Sequence, residues 1–127
     1  MTLIQQAIEN NGGFITSVED PWGREVFIRV EGRFLDGTPA ILGRYANGEP
    51  AYKLTVYGGD SGFPPDGMEE DDMVLMRAWG HVGEFVDRLR DSDCFAPTAN
   101  TVQCGFASAE IWEIIDFEPV PAATEGV

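Results

Sequence analysis

Residues 40–57 read AILGRYANGEPAYKLTVY. Two apolar-rich runs, 40–45 and 51–57, flank Asn47-Gly48. Asn-Gly between alternating segments is a strong local hairpin signal, because both residues tolerate the positive φ that a tight primed turn needs. Tyr52, Leu54 and Val56 should point one way and Lys53 and Thr55 the other, as the two-residue period of a strand dictates. Pro50 has no N–H to give, so either the turn is longer than two residues or that strand end lies at an edge. An antiparallel hairpin in mid-chain makes the protein a sheet former, and the rest of the chain is read outward from it.

Upstream, residues 25–30 alternate with Val26, Ile28 and Val30 on one face, and residues 14–18 form a shorter strand pattern. Asp20-Pro21-Trp22-Gly23 separates the two as a turn. Thr2 with Gln5 three residues on is a capping box, and Leu3, Ile4, Ala7 and Ile8 share a helical face. Asn11-Gly12-Gly13 stops that helix. Downstream, residues 73–79 predict a strand. Val82, Phe85, Val86 and Leu89, at i, i+3, i+4 and i+7, predict an amphipathic helix over about 81–91. Residues 91–101 are expected to be a connector, and 102–107 and 110–117 two closing strands. The order α-β-β-β-β-β-α-β-β, with short links, implies antiparallel pairing and an α+β class: about six or seven strands carrying two helices. One domain over 1–118 and a flexible tail over 119–127 are expected.

Charge is the strongest bulk feature. The 127 residues hold 22 acids and 8 bases, for a net charge of −14. Residues 60–72 carry six acids and no base, and residues 108–127 five acids and no base. Such a field repels nucleic acid and anionic membranes and attracts cationic surfaces, so direct binding to either of the former is not expected. No apolar run approaches the length of a membrane span, and the first residues lack a signal peptide's basic start and long apolar core. A cytoplasmic protein is expected, with Cys94 and Cys104 reduced.

The acids in GMEEDDM, residues 67–73, stand consecutively at Glu69, Glu70, Asp71 and Asp72. A calcium loop needs them alternating, and neighbours in an extended chain point to opposite faces, so no metal or other cofactor is assigned. The run is either a solvated loop or a surface gripped by a cationic partner. A second base-free stretch with Glu110, Glu113, Asp116 and Glu118 favours the latter if loop and strand lie side by side. Residues 58–72 form a long Gly-, Pro- and acid-rich loop, and long ordered loops carry function disproportionately. No catalytic constellation emerges. His81 is the only histidine, and no local signature pairs it with Cys94, Cys104 or a serine. Gly58-Gly59 and Gly62 lack the Lys of a phosphate loop. Trp22 is either an exposed anchor or folded back on the core.

Residues 37 to about 115 resemble a family of small accessory proteins carried on bacterial plasmids and phages. The matching stretches are GTPAI (37–41), NGEPAYKLTV (47–56), EFVDRL (84–89) and CGF (104–106). In that family an Asn usually follows the Leu-Thr-Val; here Tyr57 stands there, followed by the acidic loop. The resemblance implies the company of mobile-element genes, among which anti-CRISPR and antirestriction proteins are common. The expectation is a non-enzymatic inhibitor, monomer or homodimer, in the cytoplasm of the bacterial host. It would block a nucleic-acid-binding site on a CRISPR effector or restriction enzyme. Asp60, Asp66, Glu69, Glu70, Asp71 and Asp72 would meet the target's Arg and Lys, supported by Glu110, Glu113 and Asp116. The alternatives are a toxin-immunity protein, an enzyme or small-ligand binder with the 58–72 loop as a lid, and a virion structural protein.

Overall fold

The structure, a computed structural model, describes residues 3–34, 39–56, 72–104 and 107–120; the Thr2 half of the capping box, residues 57–71 and the tail past 120 lie outside the described residues. The elements run α1 (Leu3–Asn11), β1 (Phe14–Glu19), β2 (Glu25–Arg33), β3 (Pro39–Tyr45), β4 (Pro50–Lys53), β5 (Met73–Met76), α2 (Gly80–Leu89), β6 (Phe95–Cys104) and β7 (Ala107–Ile114). This is the expected α+β order. Every pairing is antiparallel, and the seven described strands form two sheets, β1-β2-β3-β4 and β5-β7-β6.

The decisive hairpin forms, but through a longer loop than a two-residue primed turn: of Asn47 and Gly48 only Gly48 takes a positive φ, +87°, and Tyr45 N–H donates to Glu49 O at 3.0 Å. Gly43 pairs with Tyr52 and Leu42 with Lys53, while Pro50 sits where the register slips, on a strand that has no neighbour beyond it among the described residues. The alternation expected through Val56 breaks earlier. Leu54 N–H donates to Ile41 O in the first sheet, at 3.1 Å, whereas Leu54 O accepts from Arg77 N–H at 2.8 Å and Val56 N–H donates to Leu75 O at 3.0 Å in the second. Residues 54–56 thus hand the chain from one sheet to the other. Leu54 is buried in the main core, and Val56 packs on a separate small cluster of Leu75, Val102, Ala109 and Ile111.

The main core lies between the sheets. Ile15, Val26, Ile28, Val30, Ile41 and Tyr52 come from the first; Val74, Met76, Phe95, Trp112 and Ile114 come from the second. α2 inserts Val82, Phe85, Val86 and Leu89, all four buried as their spacing predicts. Tyr52 stacks on Phe85 with centroids 4.3 Å apart and planes 7° from parallel, which ties β4 to the helix. α1 enters through Ile4 and Ala7, while Ile8 is left exposed. Gly13 makes the α1–β1 join possible. Its φ is +85°, and a Cβ there would stand 2.5 Å from Val30 O. Only glycine tolerates both the left-handed backbone and that approach.

Several boundaries differ from the sequence expectation: the closing strands, expected at 102–107 and 110–117, run Phe95–Cys104 and Ala107–Ile114. The proposed connector over 91–101 is already strand from Phe95, because β6 is a sheet edge, where Pro97 loses no ladder hydrogen bond. The register slips between Pro97 and Thr101 to absorb it. β5 stops at Met76 rather than running to Trp79, which takes extended angles and precedes α2 as its N-cap residue.

Candidate functional site

Asp72 is the last residue of the acidic run. Its carbonyl accepts Ile114 N–H at 2.8 Å, and the next residue, Met73, pairs with Glu113. The described end of the first base-free segment, Asp72, therefore lies beside the second, at the junction of β5 and β7. The other members of the run, Asp60, Asp66, Glu69, Glu70 and Asp71, lie outside the described residues.

The Asp72 carboxylate does structural work. Oδ1 accepts the Ile4 N–H at 3.1 Å, satisfying one of the unpaired donors in the first turn of α1. A carboxylate there also complements the helix dipole. This cap comes from 68 residues away. Asp72→Ala should destabilise the fold by about 1 kcal/mol and Asp72→Asn by less, since the amide oxygen can still accept; urea unfolding would measure both.

Glu110 is likewise held. Oε2 accepts Arg90 Nη2 at 2.6 Å, and Oε1 accepts the indole N–H of Trp112 at 2.9 Å. Arg90 also donates to Asp87 Oδ1 at 2.8 Å, and its guanidinium lies 5.3 Å from the Trp112 ring centroid. The bond from Arg90 holds the Glu110 carboxyl below the usual carboxylate range against the upward pull of burial. Glu113 and Asp116 are different: both are exposed, and among the described residues Asp116 accepts only the neighbouring Phe117 N–H, at 2.8 Å.

The chain beyond β7 straps the two sheets together. Ile115 N–H donates to Cys94 O at 2.9 Å and Glu118 N–H to Ile15 O at 2.7 Å. The Glu118 carboxylate accepts from the buried Thr16 hydroxyl. Cys94 is buried beside it, with Sγ 3.7 Å from Ile15 O. Burial, with Glu118 and Asp116 adding their charge, pushes its thiol up to about 11. A thiol so poorly ionised is no nucleophile at neutral pH. His81 is exposed in the first turn of α2, and the Cys104 side chain lies outside the described residues. Among the described residues, no three His, Cys, Asp or Glu side chains gather as a metal site would. Among them, too, no helix is long and apolar enough to cross a membrane.

A second constellation stands on the first sheet. Asp20 is only 1% exposed, at the head of the turn that presents Trp22, which is 73% exposed. Asp20 Oδ1 accepts the backbone N–H of Trp22 at 3.0 Å and of Arg24 at 2.9 Å. Oδ2 accepts the Tyr45 hydroxyl at 3.3 Å and lies 3.3 Å from Arg24 Nε. Burial pushes the Asp20 carboxyl up, but the two N–H donors, the Arg24 charge and Tyr45 outweigh it, and it ends below its ordinary value. Of the two positions open to Trp22, the structure takes the exposed one. The Asp20 network was missed from sequence; an Asp opening a Pro-x-Gly turn is the signal that could have found it.

Compared with known proteins, the chain matches no family model, no curated protein and no solved structure.

Proposed function

We propose that this protein is a non-catalytic inhibitor of a bacterial defence system, of the anti-CRISPR or antirestriction kind suggested by its resemblance to plasmid and phage accessory proteins. It acts in the host cytoplasm by occupying a nucleic-acid-binding site on the target complex. A channel built for nucleic acid is lined with Arg and Lys expecting closely spaced phosphates, and carboxylates satisfy the same donors.

The observation that carries this reading is the uneven charge. Residues 14–56, which build the first sheet, hold six acids and five bases, for −1. Residues 72–120, which build the second sheet and α2, hold nine acids and three bases, for −6. The sequence preceding Asp72, residues 60–71, holds five more acids and no base. Among the described residues, Arg24, Arg44 and Arg90 are paired within the fold and do not dilute that field at the surface. In this reading Glu113 and Asp116 join Glu69, Glu70 and Asp71 as the contacting groups. Asp72 and Glu110 hold the framework and add charge at range.

The test is capture by the tagged protein from lysates of bacteria carrying defined CRISPR and restriction systems. Stoichiometric recovery of a DNA-binding effector is expected, declining as salt rises from about 0.05 to about 0.5 M, with the captured effector unable to bind its own DNA. Recovery of nothing at any salt, or of an effector that still binds DNA, defeats the reading.

A further inference from the structure

An open groove lies between Arg24 and Glu25, just past the Trp22 turn, and the hairpin turn after β3. Its volume is about 410 Å³, and Arg24, Glu25, Tyr45, Ala46, Asn47 and Glu49 line it. We infer that this groove, with Trp22 as its anchor, is a docking surface for a basic segment of another protein, taking one Arg or Lys beside an apolar residue.

The first support is rigidity. Asp20 fixes the Trp22 turn from inside through two backbone N–H groups. Gly23, at φ +80°, bends the chain back so that Asp20 N–H reaches Arg24 O at 2.8 Å. The Arg24 guanidinium then lies between two rings, 4.2 Å from the Tyr45 centroid and 5.8 Å from that of Trp22, while Nη2 donates to the Tyr45 hydroxyl at 2.7 Å. The opposite wall is equally braced. Tyr45 N–H donates to Glu49 O at 3.0 Å, Glu49 N–H to Asn47 Oδ1 at 3.0 Å, and Arg44 Nη1 to Gly48 O at 2.9 Å. An exposed Trp on a preorganised turn loses little entropy when covered, and Trp, Tyr and Arg are the residues that dominate binding at protein interfaces.

Charge names the occupant. The Arg24 charge is offset by Asp20, so Glu25 and Glu49 set the sign of the groove. Both are exposed, and among the described residues neither has an ion-pair partner; Glu25 accepts only a hydroxyl, from Ser17 at 3.2 Å. A cation in the groove meets the Glu25 and Glu49 carboxylates beside Tyr45, with Trp22 exposed on the adjoining turn. A second copy of the chain is disfavoured by its −14 charge, and nucleic acid for the same reason. A small ligand needs most of its surface enclosed, which an open groove between two turns does not offer. The surface uses residues 20–49 and is independent of the carboxylates of the proposed function.

The experiment is a titration of the isotope-labelled protein followed by amide and indole N–H chemical shifts. The probes are the peptide acetyl-GRLGKLG-amide and its acidic counterpart acetyl-GELGELG-amide. Saturable shifts at the Trp22 indole, Arg24 and residues 45–49 are expected with the basic peptide and none with the acidic one. Trp22→Ala and the pair Glu25→Gln, Glu49→Gln should each weaken binding about threefold or more without lowering the melting temperature, since all three side chains are exposed. Glu113→Gln with Asp116→Asn should leave the groove shifts in place. The inference is overturned if no shifts appear, if they map only to residues 113–116, if both peptides act alike, or if the Trp22 and Glu variants bind as the wild type does. A failed defence-complex capture leaves this titration untouched, so the two proposals fail separately.

Discussion

Trp112→Ala should destabilise the protein by about 3–5 kcal/mol, a large share of the roughly 5–15 kcal/mol that holds a domain of this size folded. Trp112 is fully buried where the second sheet meets the main core. It touches Phe95 edge-on with centroids 6.1 Å apart, carries the Arg90 guanidinium over its ring, and donates its indole N–H to Glu110. Removing the ring opens a cavity between the sheets and leaves part of the Glu110–Arg90–Asp87 cluster without its floor. Trp112→Phe separates the contributions. It keeps most of the volume and loses the N–H donor, so it should cost about 1–2 kcal/mol. Thermal unfolding should place the alanine variant about 10–20 °C below wild type and the phenylalanine variant between them. Equal melting temperatures for all three would mean that the sheets are not joined through this residue.

The same cluster sets an acid limit. The folded-state pKa of Glu110 is lowered, first by the bond from Arg90. Such a group contributes stability that is fully present above its unfolded value and lost as pH falls through the folded one. Glu110→Gln should therefore remove stability at pH 7, and progressively less as pH falls into the acid range below the ordinary Glu value, where wild type loses the pair as well. Urea midpoints measured across that range would show the two curves converging.

What the sequence could and could not reveal follows from how far apart the partners are. Asn47-Gly48 announces its own turn, and Val82, Phe85, Val86 and Leu89 declare a face, because the relevant atoms lie within one or two turns of chain. The order of the nine described elements was legible on those terms. The division into two sheets was not. It depends on Leu54 and Val56 changing hydrogen-bond partners from β3 to β5, and each of those residues is apolar under either arrangement. The PTAN stretch in β6 carries the composition of a turn; only its position at a sheet edge makes it a strand. Among the candidate acids the same limit applies. Counting carboxylates found the base-free segments, but it could not reveal that Asp72 caps α1 or that Glu110 is spoken for by Arg90 and Trp112. A pattern of residue types gives faces and turns. It does not give partners 20 or 68 residues away.

The variant Glu69→Gln, Glu70→Gln, Asp71→Asn, Glu113→Gln, Asp116→Asn should lose about a hundredfold in affinity for the proposed target at low salt. Charged pairs at the rim of an interface contribute on the order of 0.5–1 kcal/mol each, and five of them together amount to about 3 kcal/mol, or a factor of about a hundred. Most of the loss should fall on the association rate, because long-range attraction steers the encounter before any contact forms. The net charge moves from −14 to −9, so the salt dependence should flatten, and wild type and variant should converge near 0.5 M, where the screening length is down to about 4 Å. Asp72 and Glu110 are left intact because their side chains cap α1 and pair with Arg90. Of the substituted residues that are described, Glu113 and Asp116 are exposed, and removing like charges relieves self-repulsion. The variant should therefore melt no lower than wild type. Lost affinity with undiminished stability would place the grip in these carboxylates. A variant that binds as tightly as wild type at every salt concentration would remove the acidic segments from the mechanism, whatever the target proves to be.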